Sequence, residues 1–416
     1  MKDRSDEIDS LIYAAVFSAD EKEKKAHREK IWELAEKNGV YPYSIHNLYM
    51  AFGRIEVSGF TVPAINIRTL TYDTARIIFR LALEKKAAAM IFEIARSEIG
   101  YTKQRPEEYA TVVAAAAIRE GYRGPVFIQG DHYQFKASLY KTDPSAEIEN
   151  IKNLVKESIS GRFYNIDIDA STLVDLNKSA LADQQKDNYE MTAVITKHIR
   201  ELEPKGITIS VGGEIGHIGG KNSTPEDFIA FMDGYRKNMD NQAGISKVSV
   251  QTGTSHGGIP LSDGTIAKIK LDFTVLEKIG QVARDKYQIG GAVQHGASTL
   301  PNELFDQFPR VGTLEIHLAT GFQNIVYENM PAALRNEIYE WIKSNCRDEW
   351  KEGLSEEQFI YKTRKKALGP FKEKLWKMSD AEKQPIREKL REQLSFLMDK
   401  LKVNNTADIV NKYCGQ

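Results

Sequence analysis

Eight short apolar runs rich in β-forming residues, separated by helix-length segments, constrain the fold of this chain more than any other feature. The runs are TVPAINI, AMIFEIA, GPVFIQG, RFYNIDI, ITISVGG, KVSVQTG, QIGGAVQ and TLEIHLA, and the segments between them include TYDTARIIFRLALEKK and LDFTVLEKIGQVARDKY. Alternating strands and helices predict an α/β fold with a parallel sheet. Eight such units in about 270 residues are typical of a closed (β/α)8 barrel.

The barrel is predicted to occupy residues 57–330, with a helical extension on each side. Residues 1–56 read as a charged, amphipathic helical lead-in, and residues 331–416 as a highly charged helical segment with no strand signal. We expect the C-terminal extension to fold over the barrel or against a partner subunit. An open doubly wound sheet fits less well, because the turn after the first run has no glycine.

Charge and hydropathy exclude several classes of protein. A formal net charge of −1 gives no sign of a nucleic-acid partner. No basic stretch leads into an apolar run at the start, and no apolar segment reaches the roughly 18 residues that a membrane span needs. The two cysteines, Cys346 and Cys414, do not support a disulfide framework. We therefore expect a cytoplasmic protein that does not bind membranes.

Four residues that can bind zinc stand at the ends of separate predicted strands: His132, Glu214, His256 and His295. Residues at the C-terminal ends of barrel strands converge at one mouth of the barrel. Zinc and similar divalent ions accept imidazole and carboxylate ligands, and three protein ligands with one open position make a catalytic site. We predict a Zn²⁺ (or other divalent) site, in which the fourth candidate is displaced or supports the others.

Seven motifs follow one another along these runs: VPAIN, GDH, DIDAS, GGEIGHIGG, TGTSHG, QHGAS and HLAT. In these motifs the chain resembles the class II, metal-dependent fructose-bisphosphate aldolase family, from Val62 to Gln323. The resemblance implies a zinc-dependent lyase that cleaves or forms the C3–C4 bond of a ketose phosphate or bisphosphate. The products would be dihydroxyacetone phosphate and an aldehyde, as in glycolysis, formed through an enediolate. It also implies a homodimer or homotetramer and a monovalent cation as a possible second cofactor.

The resemblance implies a role for each matching residue. His132, His256 and His295 would hold zinc, and Glu214 would join them in one position of a mobile metal. Asp131 would be the acid/base at the C4 hydroxyl, a task that suits a carboxylate placed next to a metal ligand. Asp169 would orient a ligand rather than react. The residues that would contact substrate or its phosphate are Asn66, Gly257, Gly296, Ser298, Ala319 and Thr320.

The chain departs from the family pattern in a loop and on the last strand. Relatives carry acidic residues after GGEIGHIGG, whereas this chain has Lys221 and Asn222 before a TPED segment that reads as a helix start capped by Thr224. On the last strand an asparagine that touches substrate is replaced by His317, for which we predict a functional role. His217 could line the same loop.

The predicted site for the far phosphate is also altered. Ala95 stands where relatives often carry a phosphate-binding serine. Arg364 falls where relatives supply an arginine, although a KTRKK run is also typical of a solvated helical face. Arg68, after the first strand, is another candidate cation for an anionic substrate.

Three functions remain open from sequence. The preferred one is the aldolase. The second is a metal-dependent ketose or ketose-phosphate epimerase, acting at C4 by cleavage and re-addition or at C3 through an enediolate, which His317 and the missing loop acids favour. The third, a non-catalytic subunit beside a catalytic partner, fits poorly with intact Asp131, His132, His256 and His295.

Overall fold

The computed structural model describes residues 4–216, 221–253, 271–298 and 300–415, and within these ranges it contains nine strands and nineteen α-helices. The strands are β1 Val40–Tyr43, β2 Val62–Asn66, β3 Ile91–Ala95, β4 Gly124–Gln134, β5 Asn165–Asp169, β6 Ser210–Glu214, β7 Lys247–Val250, β8 Ala292–Gln294 and β9 Glu315–Leu318. The helices that accompany the barrel are α4 Thr71–Lys85, α5 Arg96–Tyr101, α6 Pro106–Glu120, α7 Ala137–Thr142, α8 Pro144–Ser160, α9 Leu181–Gln184, α10 Lys186–Leu202, α11 Pro225–Lys237, α12 Phe273–Tyr287, α13 Gln307–Arg310 and α14 Thr320–Asn329. Those before it are α1 Arg4–Phe17, α2 Glu21–Lys37 and α3 His46–Gly53, and those after it are α15 Ala332–Asn345, α16 Glu356–Thr363, α17 Lys372–Trp376, α18 Asp380–Lys400 and α19 Ala407–Cys414. Short 3-10 helices cover Ser171–Leu173, Asn302–Leu304, Arg347–Glu349 and Arg364–Ala367.

Strands β2 to β9 close into a parallel barrel in chain order. Each strand pairs with the next, β4 pairs with β5, and β9 returns to β2, with Val62 opposite Glu315. These eight strands coincide with the eight predicted runs, and helices connect them. The predicted (β/α)8 barrel is confirmed.

Strand β1 lies outside the barrel ring and was not predicted from the sequence. It pairs in parallel with the first residues of β4, from Val40 opposite Gly124 to Tyr43 opposite Phe127. Four residues that include a proline are too few to show a two-residue period, and proline limits a strand to the edge of a sheet. The Asn165 side chain fixes the chain that follows, since its Oδ1 accepts a hydrogen bond from the Ile45 N–H at 2.9 Å. The lead-in therefore covers the N-terminal end of the barrel and leaves the opposite mouth open.

The C-terminal helices pack on the outside of the barrel. The Arg387 Nε on α18 donates to the Asp73 carboxylate on α4 at 2.8 Å, and the Thr61 N–H just before β2 donates to the Leu401 carbonyl at 3.0 Å. The division into residues 1–56, 57–330 and 331–416 as separate domains stays a prediction. None of the described helices is both long and apolar enough to cross a membrane.

Candidate active site

A break in strand β4 aims the first candidate ligand into the barrel mouth. The pairing of β4 with β5 shifts register between Gly130 and Tyr133, and His132 inside the shift has φ of +43°. A non-glycine residue in the left-handed region is uncommon and is found where a site needs a side chain in a particular direction. Gly130 permits the break, because a Cβ there would lie 2.3 Å from the Tyr133 hydroxyl oxygen.

Three of the four predicted metal ligands meet at this mouth. His132, Glu214 and His295 each offer a ligand atom, and these atoms lie within 4.8 Å of one another. The His132 and His295 rings are 4.3 Å apart between centroids, and the His132 Nδ1 is 3.3 Å from the Glu214 carboxylate. Two imidazoles and a carboxylate at the ends of three strands fit a zinc ion with an open position. His256, Gly257 and His217 lie outside the described residues.

Asp169, at the end of β5, holds the His132 ring. Its Oδ2 lies 3.2 Å from the His132 Nδ1 and accepts a hydrogen bond from the Gln134 Nε2 at 2.6 Å, while its Oδ1 accepts from the Ser171 N–H and hydroxyl. Burial alone would raise the pKa of Asp169, but the hydrogen bond and charge of His132, together with those from Ser171 and Gln134, lower it. Asp169 is therefore a carboxylate at neutral pH, placed to orient His132, a candidate metal ligand.

At Glu214, in contrast to Asp169, burial leads to a raised pKa. Loss of hydration and the neighbouring Asp169 charge raise the pKa of Glu214 to about 7, even though His132 opposes the rise. A carboxyl group that is costly to ionise in isolation is stabilised as an anion by a bound cation. This is the behaviour expected of a ligand that binds a metal ion with release of a proton.

Asp131 and His317 form a second cluster beside the ligands. The His317 Nδ1 on β9 is 3.3 Å from the Asp131 carboxylate and 2.9 Å from the Glu93 carboxylate, and its ring stacks on His295 with centroids 3.9 Å apart. Its Nε2 is 2.7 Å from the Glu315 carboxylate. Because carboxylates face both ring nitrogens, His317 is suited to carry two protons and lacks the lone pair that a metal ligand needs.

The pKa values of Asp131 and His317 are shifted in opposite directions. Burial disfavours the charge on both, but the nearby Glu93 and Asp131 carboxylates raise the pKa of His317 well above its usual value. The charges of His132 and His317 outweigh burial at Asp131 and hold its pKa well below its usual range. Two titratable groups pushed apart in this way are suited to act as base and acid.

A further polar cluster below the pair was missed by sequence reasoning. Its members are Glu93, Gln129, Asp167, Lys247 and Glu315, all on barrel strands and all buried. The available signal was a charged residue inside an apolar run, as in IFEIA, KVSV and LEIH. Such a residue is costly to bury unless it is paired, so it marks a polar barrel interior.

A cavity of about 470 Å³ opens above both clusters. Its lining includes the predicted Asn66, Gly296, Ser298, Ala319 and Thr320, together with Asp131, His132, His295 and His317. The Nδ2 of Asn66 donates to Glu98 at 2.6 Å, and its buried Oδ1 has no hydrogen-bond partner among the described residues. That acceptor is available to a substrate hydroxyl group.

Cationic side chains gather on one side of the cavity. Arg68 is held by the buried Glu98 through a 2.7 Å contact and reaches Thr320 Oγ1 at 3.4 Å, so this predicted cation lies beside a predicted phosphate-binding residue. Arg96 and Lys365 line the cavity as well. The lining can neutralise an anionic group on a substrate.

Arg364 is not brought to the cavity. It is buried, its guanidinium lies 4.8 Å and 4.5 Å from the Tyr327 and Tyr361 ring centroids, and its Nη2 donates to the Asn324 side chain at 2.6 Å. Lys365, the next residue, lines the cavity instead. The 3-10 turn at Arg364–Ala367 points neighbouring side chains in different directions, which spacing alone could not predict.

In the described part of the altered loop, Asp227 is engaged in a helix cap. Asp227 accepts hydrogen bonds from the Thr224 N–H and hydroxyl at 3.0 Å and 2.9 Å, and Thr224 caps helix α11. The predicted helix start is thus confirmed, and Asp227 is engaged in the cap. His317, whose Nδ1 lies 3.3 Å from the Asp131 carboxylate, is a described residue that can carry a proton beside Asp131.

The chain is similar to known proteins in a family sequence pattern and in fold. The family model described as fructose-bisphosphate aldolase class-II matches residues 47–383. A solved fructose-bisphosphate aldolase from Campylobacter jejuni is 16% identical, with 88% of this chain and 97% of that chain covered and a TM-score of 0.53. A fructuronate-tagaturonate epimerase from Cohnella laeviribosi is 10% identical, with 83% and 82% covered and a TM-score of 0.58. At these identities the two structures establish the fold. No curated protein sequence matches the chain.

Proposed function

Because the chain belongs to the class II fructose-bisphosphate aldolase family, we propose that it is a zinc-dependent aldolase acting at the C3–C4 bond of a ketose phosphate. The observation that carries the proposal is the meeting of a three-residue ligand cluster with the Asp131–His317 pair under one cavity. When bound there, zinc would act as a Lewis acid and stabilise the negative charge of the enediolate. The remaining steps fall to side chains of this chain.

Asp131 is the proposed base. Its low pKa keeps it ionised at neutral pH, and it follows Gly130 at the point where β4 turns His132 toward the ligands. Accepting the C4 hydroxyl proton allows the C3–C4 bond to break with its electron pair moving onto C3. No lysine Schiff base is required.

His317 is the proposed acid. It lies beside Asp131 and takes the place of the loop acids that Lys221 and Asn222 do not supply. Donating a proton to the carbanion carbon would complete release of the three-carbon ketone. The cluster of Arg68, Ser298, Thr320 and Lys365 would hold the phosphate nearest that ketone, and a monovalent cation could join it.

A C4 epimerase is the second candidate, and the Asp131–His317 pair favours it. Two proton-transfer groups 3.3 Å apart in one cavity could serve both cleavage and re-addition of the same aldehyde. An aldolase releases the three-carbon product, whereas an epimerase keeps all carbons in one sugar.

The test is a zinc-reconstituted incubation with fructose 1,6-bisphosphate, tagatose 1,6-bisphosphate, fructose 6-phosphate and uronate ketoses, followed by NMR. Triose release that is lost in His295→Ala and kept in His198→Ala, a half-buried histidine on helix α10, supports the aldolase. Formation of the epimeric sugar without release of triose supports the epimerase instead. If zinc is bound and none of these substrates reacts, both the aldolase and the epimerase proposals are refuted.

We also propose a homodimer or homotetramer in the cytoplasm, with the terminal helices as interface. Light scattering after size-exclusion chromatography measures the mass directly, and a monomer contradicts the proposal.

A further inference from the structure

Lys247 is a buried cation with no part in the chemistry described above. It begins β7, is 1% exposed and points into the barrel beneath His317. Its Nζ lies 2.5 Å from Glu315 Oε1, 2.7 Å from Gln129 Oε1 and 2.9 Å from Asp167 Oδ2. An ammonium group has three N–H donors, so these three acceptors satisfy it completely.

Two of the oxygens that Lys247 binds also lie close to the His317 ring. Glu315 Oε1 is 2.7 Å from His317 Nε2, and Asp167 Oδ2 is 3.7 Å from the same nitrogen. On its other side the ring faces Asp131. Lys247, Glu315, His317 and Asp131 therefore form one continuous line from the barrel interior to the cavity.

The same groups bring two buried carboxylates close together. Side-chain atoms of Asp167, Glu315 and His317 lie within 4.8 Å of one another. The ammonium of Lys247 contacts both carboxylates of that set, so the chain itself supplies the positive charge. Without it, the two buried carboxylates would repel each other and would compete for the His317 ring.

The barrel makes room for this arrangement. A Cβ at Gly212 on β6 would lie 2.3 Å from Asp167 Oδ1 and 2.9 Å from the Lys247 Cε. The Tyr49 hydroxyl donates to the second oxygen of Glu315, which leaves Glu315 Oε1 to Lys247, Gln129 and His317. Glycine at 212 and Tyr49 thus both fit the cluster.

We propose that Lys247 is a positioning residue for His317: its ammonium is the built-in cation that holds Glu315 and Asp167 in place, and through them the His317 ring against Asp131. The consequence for turnover rests on the proposed function, whereas the placement of the ring does not. Lys247 itself touches no substrate.

The test is Lys247→Met, which removes the charge and keeps most of the volume. Zinc-loaded enzyme should lose at least about tenfold in kcat, with KM and zinc content nearly unchanged, because the acid/base pair is misplaced while the ligands are kept. Lys383→Met is the matched control, since Lys383 is another buried lysine paired with a buried aspartate, Asp73, at 3.2 Å, on α18 away from the cavity. It should lose stability without losing kcat.

A crystal structure of Lys247→Met gives a readout independent of activity. The ring of His317 should leave Glu315 or turn from Asp131, and a ring that keeps its place overturns the proposal, as does an unchanged kcat. If the wild-type protein proves inactive, the proposed function fails, and the position of the His317 ring alone then tests the role of Lys247. If Lys247→Met does not fold, Lys247→Gln removes the charge and keeps a hydrogen-bond donor at the position, and the same two readouts apply.

Discussion

Replacing Asp169 by asparagine removes the charge that holds the His132 ring, and we expect zinc affinity to fall by about 10-fold to 30-fold. Asparagine keeps the shape of the side chain but exchanges one acceptor oxygen for an NH₂ donor. Ser171 donates two hydrogen bonds to Asp169 Oδ1, at 3.1 Å and 2.7 Å, so the remaining oxygen of asparagine would stay there. The new donor would then face the His132 Nδ1 and the Gln134 Nε2.

The distances set the size of the effect. Loss of a partner that orients a metal ligand weakens metal binding by about 10-fold to 100-fold. The contact from His132 Nδ1 to Asp169 is 3.2 Å, longer than a strong charged hydrogen bond, and Glu214 is a second acceptor at 3.3 Å. Both facts favour the lower half of the range, or about 1.4–2 kcal/mol of binding free energy.

Competition with a chelating dye measures the zinc dissociation constant. Asp233→Asn controls for the loss of a carboxylate charge away from the cavity, since Asp233 accepts a hydrogen bond from the Tyr287 hydroxyl at 2.7 Å on the outer helices. An Asp169→Asn affinity within about threefold of wild type would refute the orienting role, given the effect expected for such partners.

Three further outcomes are expected. His317→Gln should lower kcat by about 100-fold or more with zinc content unchanged, and loss of zinc would contradict the assignment. Burial, with a smaller contribution from Arg200, lowers the pKa of His46 from 6.5 to about 4; the unfolded chain therefore binds the proton first, and stability falls as pH drops from 6.5 toward 4. His46→Gln should remove about 2 kcal/mol of that loss, measured by urea unfolding at pH 7 and pH 4.5, and equal losses would disprove it. Gly130→Ala should destabilise by about 1–3 kcal/mol through contact with Tyr133, whereas Gly100→Ala, with open space at its Cβ, should not.

Sequence reasoning located the barrel strands because each is a short apolar run between helix-length segments. It placed His132, Glu214 and His295 at strand ends, and the structure brings these three together. It did not distinguish Arg364 from Lys365, because a one-residue offset in a 3-10 turn decides which side chain lines this cavity, and the phosphate-binding role of Arg364 stays a prediction. It also missed Lys247 and its partners, since each stands alone in a different run.

The amino-acid sequence by itself determined the order of strands and helices, the closure into eight units and the set of residues able to bind a metal, because periodicity and residue chemistry are local properties. Only the tertiary structure decided that His132 turns inward at a left-handed backbone position, that His317 rests between carboxylates, and that Lys247 supplies their counter-charge. Those contacts join strands far apart in the chain, such as β5, β7 and β9, and their energies depend on distance and burial in the closed barrel.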